Sequence, residues 1–95
     1  MPEPYFTGDN VPIKFNASYE SSEGPTSAKV TIRNPHNLCS EEADATVDGQ
    51  IVAYVVPQSF TTERGEYAAW FVCTFSYGDR TYEAFFAVEP NPRLI

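Results

Sequence analysis

Gly65-Glu66-Tyr67-Ala68-Ala69-Trp70-Phe71-Val72-Cys73-Thr74-Phe75-Ser76-Tyr77-Gly78-Asp79 is the longest patterned stretch of the chain. Tyr67, Ala69, Phe71, Cys73 and Phe75 fall on every second position, and Ala68, Trp70, Val72, Thr74 and Ser76 fall between them. Successive side chains of an extended chain point to opposite faces, so this period of two predicts a strand over Glu66 to Tyr77. The Tyr67 set is its core face. Gly78-Asp79 fits a two-residue hairpin turn, which predicts a returning strand over Thr81 to Val88.

The same alternation recurs toward the N-terminus. Val11, Ile13, Phe15, Ala17 and Tyr19 share one face, and Pro12, Lys14, Asn16 and Ser18 share the other. Ser21 to Thr26 is a turn by composition, because Gly supplies unusual dihedrals and Pro fixes φ. Ala28, Val30 and Ile32 alternate with Lys29, Thr31 and Arg33 up to Asn34-Pro35, where proline cannot donate to a ladder. His36 to Thr46 reads as a solvated loop, with a short edge strand over Ala45 to Val47. Asp48-Gly49 signals a hairpin and opens the continuous apolar run Ile51 to Val56, which predicts a strand covered on both faces. Gln58 to Gly65 is a loop. With a short strand near Tyr5, about seven strands follow one another, and no segment carries the 3.6-residue repeat of a helix.

The expected fold is therefore all-β: an immunoglobulin-like sandwich of about seven antiparallel strands, in two sheets packed face to face. The 95 residues suit a single domain, 1–95, with 1–4 and 91–95 frayed at the ends. Val11, Ile13, Phe15, Val30, Ile32, Tyr67, Phe71 and Phe75 are its expected core. Fifteen per cent of residues are aromatic, far more than a disordered segment carries.

Composition narrows the function. Thirteen acidic residues against six basic give a net charge of −7, which argues against nucleic acid and against anionic membrane surfaces. No apolar run approaches the roughly 20 residues of a membrane span. Met1-Pro2-Glu3-Pro4 shows no signal-peptide pattern, so a cytosolic origin is expected, and Cys39 and Cys73 are expected to remain free thiols.

Catalytic chemistry has little to build on. Nucleophilic catalysis needs a base beside the nucleophile. The single histidine, His36, sits in the turn-like Asn34-Pro35-His36-Asn37. Glu41, Glu42, Asp44 and Asp48 form an acidic loop, but their spacing matches no calcium loop, and they read as a solvated surface. Asn16-Ala17-Ser18 has the form of a glycosylation sequon without a secretory signal, and reads as a polar strand edge. No catalytic residue, metal ligand or cofactor site is expected.

The outward face of the long hairpin differs from this background. If the Tyr67 face is core, Trp70 and Val72 point away from it. Phe85 and Phe86 cannot share one face, and alternation sends Phe86 inward with Tyr82, Ala84 and Val88. Trp70, Val72 and Phe85 are therefore the candidate partner-binding residues, because an outward apolar patch holding a tryptophan has the character of a docking surface. Tyr5 and Phe6, or a loop, are what would otherwise cover it.

Several motifs in order carry a family resemblance. They are Thr7-Gly8-Asp9-Asn10-Val11-Pro12-Ile13, Ala28-Lys29-Val30-Thr31-Ile32-Arg33, Asp48-Gly49-Gln50-Ile51, Gly65-Glu66-Tyr67 leading through Phe71 and Phe75 to Gly78, and Phe86-Ala87-Val88-Glu89-Pro90. Over nearly the whole chain this order resembles the immunoglobulin-like domains of tailed-phage virion proteins. Among them are the N-terminal domain of baseplate upper proteins and neck or head-attached accessory proteins. The loop from Pro35 to Ala45 departs from the pattern. The resemblance implies a non-enzymatic virion component assembled in the host cytoplasm, whose partners are capsid, connector or tail proteins, or further copies of itself. A short version without the C-terminal extension of baseplate proteins fits a capsid-decorating or head–tail junction protein. A baseplate or tail-fibre attachment domain and a secreted carbohydrate- or cell-binding sandwich are the alternatives.

Overall fold

The computed structural model describes residues 5–17 and 23–92. The expectations for Ser18 and Tyr19, for Ser21 and Ser22 of the turn after them, and for residues 1–4 and 93–95 of the ends expected to fray lie outside those residues, whereas Asn91 is described and bonds Thr7. Seven strands follow in chain order: β1 (Tyr5–Phe6), β2 (Val11–Asn16), β3 (Ser27–Arg33), β4 (Ala43–Asp48), β5 (Ile51–Val56), β6 (Gly65–Phe75) and β7 (Gly78–Glu89). A 3₁₀ turn, Gln58–Phe60, interrupts the loop before β6.

The strands form one ladder in the order β1-β7-β6-β3-β4-β5-β2, curled until its ends approach each other. It is mixed rather than wholly antiparallel. β1 runs parallel to the end of β7, pairing Tyr5 with Val88 and Phe6 with Glu89, while every other pairing is antiparallel.

β4 is longer than the expected edge strand and is not an edge. Its first half pairs with β3 (Ala45 opposite Ala28) and its second half with β5 (Thr46 opposite Ala53). This switch of partner makes the ladder continuous where two separate sheets were expected.

The core lies between the curled halves. Val11, Val30, Ile32, Val52, Val56, Tyr67, Phe71 and Cys73 are almost wholly buried. Aromatic rings knit it together: Phe15 meets Phe71 edge-on at 5.0 Å, and Tyr67 stacks on Phe86 at 5.0 Å. Offset and edge-to-face pairs of this kind add to what area burial contributes. Ile13 and Phe15, expected in the core, pack against it but are only half-buried, because the seam between β2 and β7 is open beside them.

Two sequence expectations are corrected by register. The hairpin turn is Ser76-Tyr77, not Gly78-Asp79, and Gly78 already pairs with Phe75. Gly78 has φ 128°, which favours glycine, and the Glu23 carboxylate anchors the turn by accepting from the Ser76 backbone N–H at 3.1 Å and its Oγ–H at 2.7 Å. Those two bonds hold the Glu23 carboxyl below its ordinary pKa. Second, β5 is not covered on both faces. Val52 and Val56 are fully buried, but Val55 on the other face is 55% exposed. The apolar run reflects strand propensity on that face rather than burial.

Candidate functional site

The candidate site is the outward face of β3, β6 and β7. Strand alternation places Trp70 and Val72 of β6 there, opposite Glu83 and Thr81 of β7, with Phe85 of β7 opposite Ala68. The three residues singled out by the sequence thus stand on one face, as neighbours along and across two strands. Phe85 is the most open, at 57% exposure. Tyr5 does not cover them, for its ring packs edge-on against the inward Phe86 at 6.3 Å.

Trp70 is half-buried and held from two sides. Its indole N–H donates to Glu83 Oε2 at 2.6 Å, and the Arg33 guanidinium lies 5.2 Å from its ring centroid. Opposite charges flank one ring, so the tryptophan is fixed in orientation while the patch stays electrically balanced. Lys29, opposite Val72 on β3, makes an ion pair with Asp44 of β4, and that partner raises the lysine pKa. The outward face is therefore a strip of half-buried Val72 and Trp70 with open Phe85, bounded by neutralised charges, with Glu66 and Asp79 toward its ends, while Ala68 between them is wholly buried.

Arg33 and Glu83 are neighbours of Trp70 that the sequence reading missed. The signal was register. A turn at Gly78-Asp79 would set Trp70 opposite Ala87, whereas the true turn at Ser76-Tyr77 sets it opposite Glu83. Arg33 is brought alongside by the β3–β6 ladder, which pairs Thr31 with Trp70 and Arg33 with Ala68.

The other candidates stay apart. His36 lies in an exposed turn, where Asn34 Oδ1 accepts from the N–H groups of His36 at 2.9 Å and Leu38 at 3.0 Å. Its Nε2 faces Glu63 Oε2 at 3.4 Å. Glu41 and Glu42 are exposed loop residues, and Asp44 is engaged by Lys29. Among the described residues no group of three or more histidine, cysteine, aspartate or glutamate side chains comes together to hold a metal. Cys39 is exposed and Cys73 buried, and both are free thiols.

No family model matches the chain, and comparison with curated proteins and with solved structures returns no match.

Proposed function

We propose that this protein is a non-enzymatic docking module of a tailed-phage virion, a capsid-decorating or head–tail junction protein assembled in the host cytoplasm, and that its fold is an immunoglobulin-like sandwich. The observation that carries the docking reading is the single outward face on which Trp70, Val72 and Phe85 stand together, with Trp70 pre-oriented by Glu83 and Arg33. Tryptophan is among the residues most enriched at interface hot spots, and a side chain already locked loses little entropy on binding. On a repeating particle each modest contact is multiplied by symmetry. The net charge of −7 keeps free copies apart until they meet the particle. The placement on a virion rests on the ordered motifs from Thr7 to Pro90.

The immunoglobulin-like reading is supported by the pairing of second strand with fifth, third with sixth, and sixth with seventh. In that fold the corresponding strands B and E share one sheet and C, F and G the other. A tyrosine at the start of the sixth strand, bonded by its hydroxyl to backbone four residues upstream, is a further mark of such sandwiches. The position two beyond it, where antibody domains carry a cysteine, is Ala69 here.

The test is co-sedimentation with assembled particles. Trp70→Ala and Phe85→Ala should keep a native circular dichroism spectrum yet lose attachment, or lose self-association if the partner is another copy. Normal attachment by both variants would remove this face as the docking surface and turn attention to the loops over Pro35–Ala45 and Gln58–Gly65.

A further inference from the structure

The two ends of the ladder differ in how they present their backbone. Thr7 N–H donates to Glu89 O across the open edge of β7, and Thr74 O of β6 accepts from Thr26 N–H on the β3 side. In a strand, alternate residues direct their N–H and C=O to opposite neighbours. Both bonds therefore fix the same phase. Tyr82, Ala84 and Phe86 direct their backbone groups to β6, and Thr81, Glu83, Phe85 and Ala87 direct theirs away from it. β1 covers only Val88 and Glu89, so among the described residues no strand pairs with β7 from Thr81 to Ala87.

The edge of β2 is built differently. Ala17 N–H donates to Gln50 O, which sends Pro12 and Lys14 to the open side. Proline lacks a donor and lysine is a charge, and both are devices that blunt an edge. Thr81, Glu83, Phe85 and Ala87 include no proline and no lysine, and Glu83 is their single charge. Between the two edges lies a cavity of about 330 Å³, with Phe71 in its wall and Ile13 and Phe15 facing Tyr82 and Ala84 across it.

We propose that the β7 edge from Thr81 to Ala87 accepts an extended segment of another polypeptide as an added strand, with apolar side chains toward the cavity and basic side chains opposite Glu83. The unpaired edge supplies a ladder, and pockets under alternate residues supply selection. Charge complementarity sets the outward residues. Glu83 is the charged residue within this stretch and accepts from the Trp70 indole through Oε2, Asp79 precedes it on the same face, and opposite charges stabilise cross-strand pairs while like charges oppose them. The same rule disfavours a second copy, since two β7 edges paired about Glu83 would set that carboxylate against itself. The edge shares Glu83 and Phe85 with the outward face that carries Trp70, but it uses their backbone groups where that face uses their side chains, and this inference does not depend on the virion reading.

The test uses the full chain, isotopically labelled, titrated with a blocked peptide of alternating valine and lysine. The amides of Thr81, Glu83, Phe85 and Ala87 should shift and lose exchange with solvent, while those of Tyr82, Ala84 and Phe86, already bonded to β6, keep their exchange rates. Methylating alternate peptide nitrogens should abolish the effect. Glu83→Lys should transfer the preference to a valine–glutamate peptide. Unchanged edge amides, equal binding of the methylated peptide, or edge amides already slow in the free chain would each overturn the proposal. Protection that grows with protein concentration alone would overturn it in favour of a second copy.

Discussion

The Tyr67 hydroxyl donates to the Glu63 carbonyl at 2.6 Å and accepts from the Glu63 backbone N–H at 3.2 Å, tying the start of β6 to the loop that precedes it. The ring itself is fully buried and stacked on Phe86. One side chain thus fixes both the core and the entry angle of the longest hairpin. Tyr67→Phe keeps the ring and removes both bonds. The expected cost is about 1 kcal/mol, which for a domain of this size lowers the melting midpoint by roughly 4–8 °C. A calorimetric scan of the two proteins checks it.

The same residue makes stability depend on alkaline pH. Burial pushes the Tyr67 phenol up, and the Glu63 carboxylate adds to the effect, while the bond to the Glu63 backbone acts against it. The folded state therefore holds this proton more tightly than the unfolded chain does. Its contribution is complete below the unfolded phenol's pKa of about 10 and is lost as pH rises through the higher folded value. Denaturant midpoints from pH 8 upward should fall less steeply for Tyr67→Phe than for the native protein.

Phe71 and Phe15 touch, but they should not cost the same to remove. Phe71 is fully buried under β2, and Phe71→Ala is expected to cost about 3–5 kcal/mol. Phe15 is half-buried beside the open seam, so the same truncation exposes less new surface and should cost clearly less. Equal losses in a denaturant titration would mean that the seam is closed in solution.

The two cysteines should report on opening. Cys39 is exposed and should react with a thiol reagent in the native protein. Cys73 is buried, and burial raises its pKa, so both access and thiolate content are low. It should react only at the rate of global unfolding. Labelling in denaturant without reductant should find two thiols, and finding none would mean that the bridge forms.

Gly24 meets the hairpin between β4 and β5. A Cβ at that position would stand 1.9 Å from the Gly49 carbonyl oxygen, which is backbone and cannot swing aside. Gly24→Ala is expected to destabilise by about 1–3 kcal/mol through this overlap. Gly49 has open space but φ 62°, so Gly49→Asn should be tolerated better, because asparagine visits the left-handed region readily. Paired thermal melts decide between the two.

Alternation along β6 and β7 was enough to sort side chains between inside and outside. Tyr67, Phe71, Cys73 and Phe75 are buried, Phe86 turns inward, and Phe85 is open, as the period of two requires. The face that holds Trp70, Val72 and Phe85 could therefore be assigned from residues alone. The reason is local: a strand's backbone geometry fixes which way each side chain points, whatever lies beyond it.

Contacts between strands obey no such local rule. Whether the turn fell at Ser76-Tyr77 or at Gly78-Asp79 decided that Glu83, and not Ala87, bonds Trp70, and both sites offered plausible turn residues. The division of β4 between β3 and β5, the exposed outer face of Val55, and the open seam beside Ile13 and Phe15 all depend on which strands became neighbours. Seven strands and the facing of most of their side chains were legible in the residues, because those follow from backbone stereochemistry and hydrophobic period. Register and adjacency emerged with the folded chain. These are set by the fit of distant segments, where shifting a pairing changes every cross-strand partner while each strand's own pattern stays the same.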